Sequence, residues 1–147
     1  MFQRNINGTN HNYMKTNFKI LATTLVLALF MLFRPDHAVA QQKGVSRTEL
    51  QRHDLSTPGH EAVQVRIDFD KGTAFGLHTH PGEEVIYVLE GTFIYEVEGK
   101  GQVTLKKGDT LFIPAGVAHS AKNAGKIKAV ELATYIVEKG KPILTKK

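Results

Sequence analysis

Four residues of this 147-residue chain have the types and spacing that metal chemistry needs: His78, His80, Glu84 and His119. His78 and His80 are two apart, and on a strand residues i and i+2 share a face. Two imidazoles side by side on one pleated face can chelate one ion. Glu84 follows beyond Pro81-Gly82 and can return a carboxylate to the same place from the next strand. His119 comes from a distant segment, as it would where a barrel closes a site from opposite walls. Each of these histidines, taken alone, also reads as a surface or core residue with a satisfied hydrogen bond. His53 and His60 have no partners at useful spacing and read as surface residues.

The segments that must position these four are short strands. Val63, Val65, Ile67 and Phe69 alternate with Gln64, Arg66 and Asp68, a period-two strand with one wet face. Val85 to Leu89 is apolar at every position, which predicts burial of both faces. Phe93, Tyr95 and Val97 alternate with Ile94, Glu96 and Glu98, and Gly99-Lys100-Gly101 turns the chain towards Val103 and Leu105. Thr110 to Ile113 is a strand stopped by Pro114, Lys128 to Val137 is a last long strand, and Glu49 to Leu55 is extended. The segment after Gly140 is expected to be loose. Short strands at spacings of about ten residues, separated by glycine turns, predict an all-β sandwich or barrel.

The glycines sharpen this reading. From Gly72 to Gly91 the chain follows G-x5-H-x-H-x3-E-x6-G, and from Gly108 to Asn123 it follows G-x5-P-x-G-x2-H-x3-N. These resemble, position for position, the two signature motifs of the cupin superfamily. The interval 92–107 between them is similar to that of small single-domain bacterial cupins. The resemblance covers about residues 45–137 and implies a double-stranded β-helix, or jelly-roll barrel. It also implies one divalent metal held by His78, His80, Glu84 and His119 in the barrel mouth. Three imidazoles and a carboxylate suit Fe, Mn, Ni, Cu or Zn, and an octahedral ion held by four protein groups keeps two positions open. Gly72, Gly91 and Gly108 read as turn glycines with positive φ, and Pro114 and Gly116 as shaping the loop that aims His119. Asn123 and Asp109 are expected to hydrogen-bond backbone.

Side-chain parity sketches the pocket. If His78 and His80 point inward on a regular strand, so do Ala74 and Gly76. Glu84 would bring Ile86 and Val88, and His119 would bring Val117 and Ala121. The expected pocket is small and apolar, with no second acid or base, and Glu83 faces away from Glu84. Tyr87 and Leu89 face outward, where a second copy of the chain would cover them, so a homodimer is expected.

Residues 1–40 read as a signal peptide and 41–147 as a single domain. Ile20 to Phe33 is a fourteen-residue apolar run, about 21 Å as a helix against a hydrocarbon core of about 30 Å. Lys15 and Lys19 precede it, and Ala38-Val39-Ala40 offers a cleavage site that would make Gln41 the new N-terminus. Met14 is a second candidate start, and an uncleaved helical anchor is the alternative to cleavage. Either places the working domain outside the cytoplasm, periplasmic or secreted, and cleavage would leave no stable membrane anchor.

Composition excludes several classes. The 41% hydrophobic and 22% charged fractions are those of a globular protein, not of a disordered tail, a collagen-like repeat or a polytopic membrane protein. The absence of cysteine removes disulfides, thiolate metal sites and cysteine nucleophiles. The net charge of +5 belongs largely to the leader: 41–147 holds 15 basic against 13 acidic residues, with no basic patch interleaved with aromatics, so no nucleic-acid partner is expected.

Cupins include dioxygenases, decarboxylases, isomerases, hydrolases and non-catalytic binders, and the fold does not choose among them. The resemblance extends in a general way to quercetin-dioxygenase-like members. It favours a metalloenzyme acting on a small organic molecule, with a metal- or ligand-binding protein as the alternative and a structural or sensor module last.

Overall fold

Alternating apolar residues give the described part of the chain its strands, and glycines with positive φ turn one into the next. The computed structural model describes residues 42–147, and the expected signal peptide with its cleavage site lies outside the described residues. Ten strands follow in order: β1 (Val45–Asp54), β2 (His60–Phe69), β3 (Ala74–Thr79), β4 (Glu83–Glu90), β5 (Thr92–Val97), β6 (Gly101–Lys106), β7 (Thr110–Ile113), β8 (His119–Asn123), β9 (Ala129–Glu138) and β10 (Thr145–Lys146). Among the described residues there is no helix. The strands form two five-stranded sheets with orders β1-β2-β9-β4-β7 and β10-β3-β8-β5-β6, every pairing antiparallel.

One buried cluster draws on the inner faces of both sheets. Val63, Val65, Ile67 and Phe69 come from β2, Ile86 and Val88 from β4, Phe93, Tyr95 and Val97 from β5, and Ala133, Tyr135 and Val137 from β9. Phe69 meets Phe93 edge to face, with centroids 5.1 Å apart, which ties the two sheets together. Gly72, Gly91, Gly108 and Gly116 all have positive φ. Gly91 also has no room for a side chain, since a Cβ there would lie 2.8 Å from the Ala129 Cα.

Three expectations need correction. β4 is buried on one face only: Val85 and Tyr87 are 39% and 45% exposed, so the unbroken apolar run reflects an uncovered outer face in the single chain. The segment after Gly140 is not loose. Leu144 is buried in the core, and β10 pairs with β3, Thr145 opposite Thr79 and Lys146 opposite His78. The third concerns β3, which does not keep parity. Its register against β8 shifts between Phe75 and His78, so both of these residues turn inward, while Ala74 and Gly76 are exposed. An irregular strand breaks the i, i+2 rule on which the pocket expectation rested.

Candidate metal centre

β3 and the residue just beyond it deliver His78 and His80, β4 delivers Glu84, and β8 delivers His119. His119 does not come from an opposite wall as expected: β8 is paired beside β3, with His78 against His119 in the ladder, and Glu84 is the residue from the other sheet. All four side chains are buried, His119 to 1% exposure. The three histidines each offer a ring nitrogen, and these atoms lie within 4.8 Å of one another. Glu84 Oε2 stands 3.1 Å from His119 Nε2 and 3.3 Å from His80 Nε2. Gly82 makes the return possible, because the loop passes so close to β9 that a Cβ there would sit 1.9 Å from the Ile136 carbonyl oxygen.

The other face of each imidazole fixes its tautomer. His78 Nδ1 lies 2.8 Å from the Gly76 carbonyl, His119 Nδ1 3.0 Å from the Val117 carbonyl, and His80 Nδ1 2.5 Å from the Ile143 carbonyl. A carbonyl only accepts, so each Nδ1 carries the hydrogen and each Nε2 of the neutral ring presents a lone pair. The short contacts between Glu84 Oε2 and the two Nε2 atoms are therefore not hydrogen bonds between neutral partners. His80 Nε2, His119 Nε2 and Glu84 Oε2 are buried without a hydrogen-bond partner. Converging acceptors with no donor between them suit a bound cation, and imidazoles donating their far nitrogen to carbonyls are oriented as metal ligands are.

Without a cation, the Glu84 carboxylate and the imidazoles bias one another's charge. Burial, reinforced by His119, pushes His78 down to about 4, so it is neutral at physiological pH. Burial alone would raise Glu84, but the imidazoles of His119 and His80 outweigh it and hold the carboxyl well below the usual range. Burial disfavours charge on His119, yet the Glu84 carboxylate beside it raises its pKa.

Beside this cluster lies a narrow recess with a cavity volume of about 10 Å³. His78, Glu84 and His119 form one wall, with Phe75, Ile67, Phe69 and Ala121 as apolar neighbours. Of the residues expected to line it, Ala121 does. Ile86 and Val88 share Glu84's inward face but are packed deep in the core, and Val117 is half-buried and serves through its carbonyl. Phe75 takes the place expected of Ala74 and Gly76.

The recess is also more polar than expected. Arg47, Tyr95, Glu131 and Tyr135 line it. Tyr95 Oη donates to Glu131 Oε2 at 2.5 Å, and Arg47 donates to Tyr135 Oη at 3.0 Å. Burial, with the Glu84 charge adding to it, pushes Glu131 up to about 8 despite the Tyr95 hydrogen bond and the pull of Arg47. The expectation of no second acid or base is thus wrong. Parity along β9 carried the signal, because Glu131 shares the inner face with Ala129, Ala133, Tyr135 and Val137.

The Cupin domain family model matches residues 65–138, about half the chain. An oxalate-binding protein of Thermotoga maritima is 37% identical over 73 residues, 49% of this chain and 60% of that protein. Germin-like protein subfamily 2 member 1 of Arabidopsis thaliana is 36% identical over 89 residues, 55% of this chain and 41% of that protein. The match thus spans less than two thirds of either relative. Among solved structures, an RmlC-like cupin from Shewanella frigidimarina superposes with a TM-score of 0.54 at 27% identity, covering 67% of this chain and 81% of the other.

Proposed function

This chain belongs to the cupin family, and from that premise we propose that it is a metal-dependent enzyme, dioxygenase-like in type, acting on a small organic molecule. The observation that carries this is the convergence of three Nε2 lone pairs and the Glu84 carboxylate beside a narrow recess. His78, His80, Glu84 and His119 would hold one divalent ion of Fe, Mn, Ni, Cu or Zn. Such an ion would polarise an oxygen of the substrate and, if redox-active, bring one-electron chemistry with O2 within reach.

The protein's own groups suggest the substrate class. The recess has room for little more than one water molecule in the single chain, which favours a ligand of few atoms. Arg47 is the one permanent cation among its lining residues, which favours an anionic oxygen such as a carboxylate or enolate. The kinship with an oxalate-binding protein supports the same class. Glu131 holds a proton at neutral pH. Giving it to a ligand oxygen would leave a carboxylate stabilised by the Tyr95 hydroxyl, and the reverse transfer would restore the acid.

The test is oxygen consumption with a panel of small oxyacids, diketones and catechols. Turnover lost in His119→Ala and strongly slowed in Glu131→Gln is the expected result. The oxalate-binding relative favours a second reading, a binding protein that turns nothing over. Tight stoichiometric binding of one panel member by the metallated protein, without oxygen uptake or product, would establish that reading instead.

We also propose that the protein works outside the cytoplasm, on the strength of the leader in residues 1–40. It would pair as a homodimer through the outer face of β4 and β7, where Val85 lies opposite Phe112 and Tyr87 is exposed beside Leu132.

A further inference from the structure

Two of the three histidines owe their orientation to their own strands. His78 and His119 each hydrogen-bond the carbonyl two residues back, Gly76 and Val117. His80 differs. Its Nδ1 reaches the Ile143 carbonyl, 63 residues away in the chain, at 2.5 Å. The segment 141–147 that supplies this acceptor is held by few contacts. Leu144 sits in the core, Ile143 packs half-buried against it, β10 pairs two residues with β3, and Lys147 N donates to the Leu77 carbonyl at 3.1 Å. The chain enters the segment through Gly140, at φ +78.

We propose that segment 141–147 is a positioning element for the metal centre: by docking on β3 it places the Ile143 carbonyl that orients His80. This rests on reading His80 as a metal ligand. A ligand imidazole whose far N–H is held by a carbonyl has one tautomer, one ring orientation and higher basicity at the other nitrogen. With the segment undocked, the His80 ring can turn and exchange tautomers, while His78, Glu84 and His119 keep their own supports. Docking and metal binding are then linked, and linkage is reciprocal: metal must hold the segment down as much as the segment favours metal.

The experiment compares the wild-type chain, a chain ending at Gly140, and the milder Leu144→Ala, with Leu105→Ala as a control that cuts a core side chain on β6. Zinc affinity is measured by competition with a chromophoric chelator, and the imidazole nitrogens are observed by NMR in the metal-free proteins. The shortened chain should still bind one zinc, but 10- to 100-fold more weakly. Leu144→Ala should show a smaller loss in the same direction, and Leu105→Ala none. The His80 nitrogens should shift from a single Nδ1-protonated tautomer towards an average of two, while those of His78 and His119 stay put. Trypsin cleavage after Lys146, inside β10, should slow when zinc is added to the wild type. Should the shortened chain bind zinc as tightly as wild type, with an unchanged His80 tautomer, the coupling is wrong and the metal centre stands. Failure of the wild type itself to bind zinc, cobalt or manganese would instead remove the reading beneath it. If the shortened chain does not fold, equal affinity in Leu144→Ala and wild type overturns the proposal.

Discussion

Replacing Glu131 by Gln should flatten the pH dependence of folding stability in the metal-free protein. Glu131 is raised from 4.5 to about 8 in the fold, because it is buried with only the Tyr95 hydroxyl as a donor. In the unfolded chain it ionises from pH 4.5 upward. Its contribution is therefore whole below 4.5 and is lost as pH rises through about 8, at about 1.4 kcal/mol per pH unit inside that window. His78 works the other way: lowered to about 4, it costs stability as pH falls below 6.5. The unfolded-state charge on His78 is fading over pH 6.5 to 8, and in the same range Glu131 by itself should remove about 2 kcal/mol. His119, raised by Glu84, also loses its contribution as pH rises, but it does so in wild type and variant alike. The difference between the two proteins thus isolates Glu131. Urea unfolding with chelator present, at pH 6.5, 7.2 and 8, measures it. The wild-type advantage over Glu131→Gln should shrink by about 2 kcal/mol across that range. Parallel stability curves would mean that Glu131 is ionised in the fold, and its role as a proton holder at neutral pH would fall.

Other consequences are as direct. Gly82→Ala should destabilise by about 1–3 kcal/mol in urea titrations and weaken metal binding, because its Cβ meets the Ile136 backbone in the loop joining His80 to Glu84. Asn123→Ala should cost at least about 2 kcal/mol without changing metal stoichiometry, since Asn123 Nδ2 donates to the Phe69, Asp70 and Ile127 carbonyls and its Oδ1 accepts from Gly125. Phe112→Asp with Tyr87→Ser should turn a dimer into a folded monomer in sedimentation velocity at micromolar concentration. A wild-type monomer at that concentration would count against pairing through this face.

The parts of the site that could be read from the sequence were those set by local pattern. His78, His80, Glu84 and His119 are brought together by two paired strands of one sheet, β3 and β8, and one strand of the other sheet, β4. Period two marked the inner faces of β2 and β5, because each is regular and faces a single core. Parity failed on β3, where the shift between Phe75 and His78 leaves no mark in composition. Arg47 and Glu131 were passed over for another reason: a charged residue on a strand reads as solvent-facing until its neighbours show that the face is buried. The docking of Ile143 and Leu144 lay further beyond reach, since a two-residue strand has no period and its partner is more than sixty residues away.

The most direct test of the metal centre is elemental analysis of protein purified from its native host without added metal, beside His119→Ala and His78→Ala. About one equivalent of Fe, Mn, Ni, Cu or Zn per chain, lost in both variants, is the expected result. A folded wild-type protein that carries no metal and takes up none on titration would show that the four side chains form a structural polar cluster, and the proposed chemistry would lose its foundation.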